Sequence, residues 1–371
     1  MKNLFDHIND TELKVVAAKV FAGSRISGED ALLLYSKADL PVLALLSGTV
    51  RRRLNNDFAF FNRNFHIEPT NICVYNCRFC SYHKPQGDPE SWEFTHNQML
   101  DIVKKFDNIK VTEVHIAGGV HPLHDLDYYC LLISRIHEHR PEIHIKAYSA
   151  IELDYMISMS GLSIKEGLEE LKKSGLDSIP GGGAEIFDEE VRKRTCPEKT
   201  SSKRWIEIHE TAHNLGITSN ATMLYGHIET YAHRVDHMRR LRDLQDRTGG
   251  FNAFIPLKYK KANNPMSYLG EVSILEDLRN YAVARIFLDN IPHLKAYWPM
   301  AGRELARMSL LFGADDLDGT INDTTKIYSM AGAEEKNPEM TTEEICRLIR
   351  DAGFKPVERD SRYNFINTFA L

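Results

Sequence analysis

Cysteine is scarce in this chain: six residues in 371. That number cannot staple a large secreted protein into shape, and three of the six (Cys130, Cys196 and Cys346) are scattered as isolated thiols. No apolar run approaches the length of a membrane span, and the opening MKNLFDHINDTELK lacks the apolar core of a signal peptide. The expectation is therefore a cytoplasmic protein with no membrane partner. There is no excess of positive charge either. A net charge of −6 argues against general nucleic-acid binding. Repeats, low-complexity stretches and long linkers are missing too. The hydrophobic content of 43% and charged content of 26% belong to an ordinary globular chain, long enough for one large barrel or two domains.

The other three cysteines stand together. Cys73, Cys77 and Cys80 lie in PTNICVYNCRFCSY, a C-x3-C-x2-C run with Phe79 directly before the last. A structural zinc site wants four ligands, usually as paired C-x2-C units. His66 or His83 could supply a fourth, but there is no second C-x2-C. A disulfide needs an oxidising compartment. Iron–sulfur clusters are usually held by four thiolates. A cubane held by these three leaves one iron open to an outside ligand.

Residues 1–57 read as helical, in the segments TELKVVAAKVFAG, SGEDALLLYSKA and LPVLALLSGTVRRRLNN. Ser27 is placed to cap the second, with Asp30 in its first turn. Arg51, Arg52 and Arg53 read as a solvated helix end. From residue 64 strands and helices alternate. Expected strands are 64–70, 111–119, 142–150, 177–183, 218–226, 249–257, 293–300 and 314–320. Eight strands alternating with helices predict an α/β fold, a (β/α)8 TIM-type barrel. The expected organisation is an N-terminal helical segment (1–57), the barrel (58–340), and a C-terminal helix and extended arm (341–371) that closes the barrel's bottom or edge.

The spacing of the trio and the aromatic before its last cysteine resemble the signature of radical S-adenosylmethionine (SAM) enzymes. That resemblance implies a 4Fe-4S cluster held by Cys73, Cys77 and Cys80. It also implies SAM as co-substrate, chelating the open iron. Gly118 and Gly119 end the second strand, where the family's paired glycines meet the methionine amino group; the plainer reading is a tight turn. Ser149 and Glu152, at the end of the third strand, match groups that hold ribose hydroxyls, although Glu152 also suits a helix first turn. Pro180-Gly181-Gly182-Gly183 ends the fourth strand with backbone bare enough to lie beside a ligand. The fifth carries Thr222-Met223-Leu224-Tyr225-Gly226-His227-Ile228-Glu229, similar to the family's GxIxGxxE element, with Thr222 in place of its first glycine. Leu224 and Phe79 then lie against adenine.

The strings HIEPTNIC, GGVHP, ATMLYGHIET, TGGFNAFIPL, KAYWPMAG and FGADDLDGT together resemble the aminofutalosine synthases of the futalosine route to menaquinone. The dehypoxanthine futalosine cyclases and the two halves of deazaflavin F0 synthase share this outline and are the alternatives. A non-catalytic iron–sulfur or zinc protein is a more distant one. The resemblance implies addition of the 5′-deoxyadenosyl radical to 3-[(1-carboxyvinyl)oxy]benzoate, with a reductant such as flavodoxin or ferredoxin as partner. His66 and Glu68 share one strand face and are the candidate catalytic residues. Asn71, His115, His121, His227 and Arg303 are further polar candidates at strand ends. Tyr297 and Trp298 are candidates to cover an aromatic substrate. Asp315, Asp316 and Asp318 resemble a metal loop but are read as a capped corner. The two substrate carboxylates lead to an expectation of arginine clamps. The polar stretch HKPQGDPESWEF after the cysteines departs from the family pattern, and no role is assigned to it.

Overall fold

The computed structural model describes residues 8–320, 322–323 and 326–370. Three helices open it: Thr11–Ala22, Gly28–Lys37 and Leu40–Asn55. Each starts where a short polar side chain accepts a backbone N–H: Asp10, Ser27 and Asp39. Ser27 and Asp30 cap each other reciprocally. The basic trio differs from expectation. Arg52 and Arg53 are exposed, but Arg51 is buried and gives its guanidinium to three carbonyls, those of Ala314, Asn56 and Phe58. Its stem is the right length to lock the helical segment onto the barrel.

Twelve strands follow: β1 (Phe58–Asn62), β2 (Asn64–Ile67), β3 (Glu113–Ile116), β4 (His144–Ala147), β5 (Ser178–Ile179), β6 (Thr218–Tyr225), β7 (Phe251–Lys258), β8 (His293–Leu294), β9 (Asp316–Gly319), β10 (Asn322–Asp323), β11 (Lys355–Arg359) and β12 (Phe365–Thr368). One sheet runs in the order β10-β2-β3-β4-β5-β6-β7-β8, all parallel. Its far edge turns back on β9: Lys295 bridges Asp316, and the Ala296 N–H donates to the Asp316 carbonyl at 2.8 Å. With β10 paired to β2 at the other edge, these bonds curl the sheet into a (β/α) barrel of the TIM type. Each of the eight expected strands is present, most of them shorter than the sequence pattern suggested.

Alternation sorts the side chains. Phe65, Ile67, Val114, Ile116, Ile145 and Ala147 are fully buried and belong to the apolar core shared with the surrounding helices. The residues between them, His66, His115 and Lys146, lie side by side in register across β2, β3 and β4 and line the interior cavity.

The C-terminal arm becomes strand. β11 pairs in parallel with β1, β12 returns antiparallel on β11, and β1 also pairs with β9. Since β1 runs directly into the start of β2, this four-stranded sheet underlies the barrel end opposite the strand C-termini. Buried polar pairs hold it: Arg359 Nε donates to Asp316 at 2.6 Å, and His293 Nδ1 lies 2.6 Å from Asp315. Among the described residues, no helix is long and apolar enough to cross a membrane.

Candidate active site

The C-terminal ends of the strands enclose one cavity of about 320 Å³. Its wall includes every residue singled out above as catalytic, cofactor-binding or metal-binding: His66, Glu68, Cys73, Cys77, Phe79, Cys80, Gly118, Gly119, Ser149, Glu152 and Leu224. Five separate chain stretches supply them, spread over residues 66–224, so only the fold brings them together.

The cysteine loop follows β2 and is fixed by its backbone. The Gly119 N–H donates to the Thr70 carbonyl at 2.7 Å, and the Val74 N–H donates to Val120 at 2.9 Å. At Gly119 a Cβ would sit 2.3 Å from the Ile72 carbonyl oxygen, so the second strand can approach the loop this closely only through glycine. The stretch after the cysteines also has a task. Thr70 bridges Glu93, Ile72 bridges Lys84, and the side chain of Asn71 reaches both Glu90 and Trp92. Residues 83–94 thus strap the lead-in of the loop from outside.

All three thiols are free of disulfides. Burial pushes the Cys73 and Cys80 thiols up, and the Lys199 ammonium opposes it. Cys77 is pushed up by its hydrogen bond to Cys196 and by burial. Three sulfurs on one loop that lines the cavity, without competing covalent partners and with the Lys199 cation beside them, suit an anionic iron–sulfur cluster. Metal binding would itself supply the positive charge that favours thiolate.

Sequence reasoning set Cys196 aside as incidental and did not single out Lys199. Both belong to this cradle. The Arg78 N–H donates to the Thr195 carbonyl at 2.8 Å, which docks the segment 195–199 on the cysteine loop. Lys199 bonds Glu185 at 2.6 Å and lies 5.5 Å from the centre of the Phe79 ring. The available signal was position: the segment follows the glycine run of the fourth strand, where a barrel enzyme keeps its working loops.

At the third strand's end, Tyr148 holds a left-handed φ of 61°. This strained turn brings Ser149 and Glu152 into the cavity wall. The Glu152 carboxylate accepts from the Ser149 N–H (2.7 Å), the Ser149 hydroxyl (2.6 Å) and the Gly118 N–H (3.2 Å). Burial nevertheless pushes its pKa up to about 7. Thr222, which departs from the family element, donates its hydroxyl to the Gly181 carbonyl at 2.6 Å and so ties the fourth and fifth strand ends together.

Glu68 accepts backbone N–H groups from Lys326 (2.9 Å) and Ile327 (3.4 Å), and so anchors a short segment that lies along the cavity wall. Of the further polar candidates, only His115 lines the cavity. Asn71 clamps the strap. His121 faces Glu93 at 2.9 Å, His227 faces Glu229, and Arg303 pairs with Glu335. Tyr297 lines the cavity, but Trp298 is core and donates its indole N–H to Gly319. The three aspartates form no metal loop, because each faces a cation or imidazole: His293, Arg359 and Lys295. The expected arginine clamps are missing from the described wall. Five lysines line it instead: Lys146, Lys199, Lys258, Lys260 and Lys295.

Comparison with known proteins agrees with this geometry. Residues 67–241 match the radical SAM superfamily, and residues 248–370 match the CofH/MqnC C-terminal region. The chain is 42% identical over 367 residues to an aminodeoxyfutalosine synthase of Thermus thermophilus, covering 98% of each protein. It is 37% identical to a cyclic dehypoxanthine futalosine synthase of Streptomyces coelicolor, covering 96% of this chain and 89% of that one. Its fold is similar to that of methylornithine synthase, with a TM-score of 0.73 and 16% identity over 92% of this chain and 97% of the other. The chain therefore belongs to the radical SAM superfamily, in the group that contains the aminodeoxyfutalosine synthases, and it is a radical SAM enzyme.

Proposed function

We propose that this enzyme joins the adenosyl group of SAM to 3-[(1-carboxyvinyl)oxy]benzoate and, with rearrangement and loss of a carboxylate, forms 6-amino-6-deoxyfutalosine. SAM is then a co-substrate, and methionine leaves. The observation that carries this reading is the composition of a single compartment, in which the cysteine trio meets a wall of tyrosines and lysines suited to an anionic aromatic. The full-length similarity to an aminodeoxyfutalosine synthase supports it.

When bound, a 4Fe-4S cluster held by Cys73, Cys77 and Cys80 supplies the single electron that splits the SAM sulfonium, drawn from a reductant such as flavodoxin or ferredoxin. The chain's own residues do the rest. Gly118 and Gly119 leave room for the methionine end of SAM, Ser149 and Glu152 offer acceptors to ribose hydroxyls, and Phe79 and Leu224 flank adenine. Glu68 keeps the segment at 326–331 over the cavity, which excludes water and stray hydrogen donors from the reacting carbon. His66 stands on the same strand face one layer deeper in the cavity wall.

Anaerobic incubation with SAM, reductant and the enolpyruvyl benzoate, followed by mass spectrometry, tests the reading. An adenosyl adduct is the expected product. Free 5′-deoxyadenosine formed once per turnover would instead assign the chain to a hydrogen-abstracting chemistry. A Cys77→Ala variant is expected to stay folded, to lose iron on reconstitution and to form no product. Activity retained in that variant would refute the cluster assignment.

A further inference from the structure

The floor of the cavity is built from β2, β3, β4, β6, β9 and the residue that follows β8. His66, Glu113, His115, Lys146, Asn220, Lys295 and Asp318 line it. We infer that Lys146 and Lys295 form a receptor for the carboxylate on the substrate's aromatic ring; the inference rests on the function proposed above.

The argument begins with unspent hydrogen bonds. Lys146 donates to Glu113 at 2.6 Å, and Lys295 donates to Asp318 at 2.6 Å. Both side chains are deeply buried, 5% and 4% exposed. An ammonium has three N–H donors. Among the described residues each lysine has one acceptor, so two donors on each remain for whatever fills the cavity. A buried charge with unused donors is costly unless a ligand or water satisfies it. The two ammoniums also repel each other: burial first, and Lys295 after it, push Lys146 below the ordinary lysine range. An anion between them relieves that repulsion and takes donors from both.

The rest of the floor leaves this task to the lysines. Burial drives His115 well down, so it stands neutral. Lys258 is already committed to the Val272 carbonyl and Asp277, both at 2.8 Å. Lys260 pairs with Glu271 nearer the surface, and Lys199 serves the cysteine loop. Above the floor, Tyr297 and Tyr328 stand 5.1 Å apart between ring centres, and Ile255, Leu257 and Met300 complete an apolar slot for a ring.

The chemistry fixes which carboxylate goes down. The vinyl ether must meet the radical at the cysteine end. The ring lies beyond it, and the ring carboxylate points away from the reacting carbon, toward the floor. The substrate class is thus a meta-substituted benzoate, recognised through its anionic end.

The test is equilibrium binding by calorimetry to the cluster-loaded, SAM-bound enzyme without reductant. Two probes are compared: 3-[(1-carboxyvinyl)oxy]benzoate and the analogue whose ring carboxylate is a carboxamide. The unmodified enzyme is expected to prefer the carboxylate by about 30-fold, the worth of one charge-assisted contact. Two paired variants, Lys295→Met with Asp318→Asn and Lys146→Met with Glu113→Gln, remove a cation together with its partner and leave no orphaned charge. Each leaves one of the two cations and is expected to reduce that preference to about fivefold while SAM affinity holds. An unmodified enzyme that binds both probes alike overturns the inference without any variant. A preference that stays undiminished in either correctly folded paired variant overturns it while the proposed function stands. If the unmodified enzyme binds neither probe, the proposed substrate is wrong and the inference falls with it.

Discussion

At the underside of the barrel, buried cations tie chain segments to one another. Arg51 spends its guanidinium on three carbonyls, Arg285 on those of Leu288, Ile291 and Pro292, and Arg359 on Asp316 and the Asp360 carbonyl. Around the cavity the buried cations are lysines, and Lys146, Lys199 and Lys295 each meet a single carboxylate. The chemistry of the two side chains explains the division. A guanidinium is a rigid fork that locks chain segments together, whereas an ammonium is a compact charge whose remaining donors can turn toward a ligand. The underside cations hold chain to chain, whereas the cavity lysines face a space that a ligand can fill.

Removing one arginine from the underside should produce the largest effect. Arg359→Met strands Asp316 in a fully buried position. The expected cost is about 3–5 kcal/mol of stability, since breaking a buried pair leaves an uncompensated charge. Adding Asp316→Asn should restore much of it. Urea unfolding of the single and double variants measures both, and SAM binding by the folded fraction should not change. If the single variant costs less than about 1 kcal/mol, the underside pairs are not locks and the contrast fails.

Gly119→Ala probes the other end, with a smaller effect on stability and a specific one on the site. The new Cβ would meet the Ile72 carbonyl oxygen at 2.3 Å, so the cysteine loop must move. Stability should fall by about 1–2 kcal/mol. Iron and sulfide content after anaerobic reconstitution should drop far below that of the unmodified protein. Full loading with an unchanged spectrum would show that the loop tolerates the shift.

Much of this was legible in the sequence, and for identifiable reasons. The eight strands announced themselves because short strand-like segments alternate with segments of helical spacing, with the cysteine loop and the glycine corners following strands as a barrel requires. Ser27 signalled its cap for the same local reason. What stayed hidden depends on partners far along the chain. Arg51 looks like its solvated neighbours until Ala314 and Phe58 close over it. The five cavity lysines look like surface charge until the strands curl. Cys196 is a lone thiol until residue 195 bonds to the loop at residue 78. The strap at 83–94 carries no pattern of its own, because its work is done by backbone groups. The arginine clamps were expected from the substrate's charge, but charge alone does not distinguish arginine from lysine; the crowding of the barrel floor favours the slimmer side chain.

An effect on pH dependence alone is expected at Glu152, where the two styles of site meet: three donors surround its carboxylate, yet burial holds the pKa at about 7. In the unfolded chain a glutamate titrates near 4.3. The folded protein therefore holds a proton that the unfolded chain has released across the interval between those values. Stability falls as pH rises through that window and is flat with respect to this group above it. The slope contributed by one such group is at most about 1.4 kcal/mol per pH unit. Glu152→Gln keeps the size and removes the titration. In the cluster-free protein, unfolding measured at pH 5, 6 and 7 should show the unmodified chain losing about 1–2 kcal/mol more than the variant over this range. Parallel curves would mean that the Ser149 and Gly118 donors have overcome burial. Glu152 would then be a fixed anion like those of the underside, and the boundary between the locked and the receptive halves of the barrel would lie nearer the cysteines than the strand ends suggest.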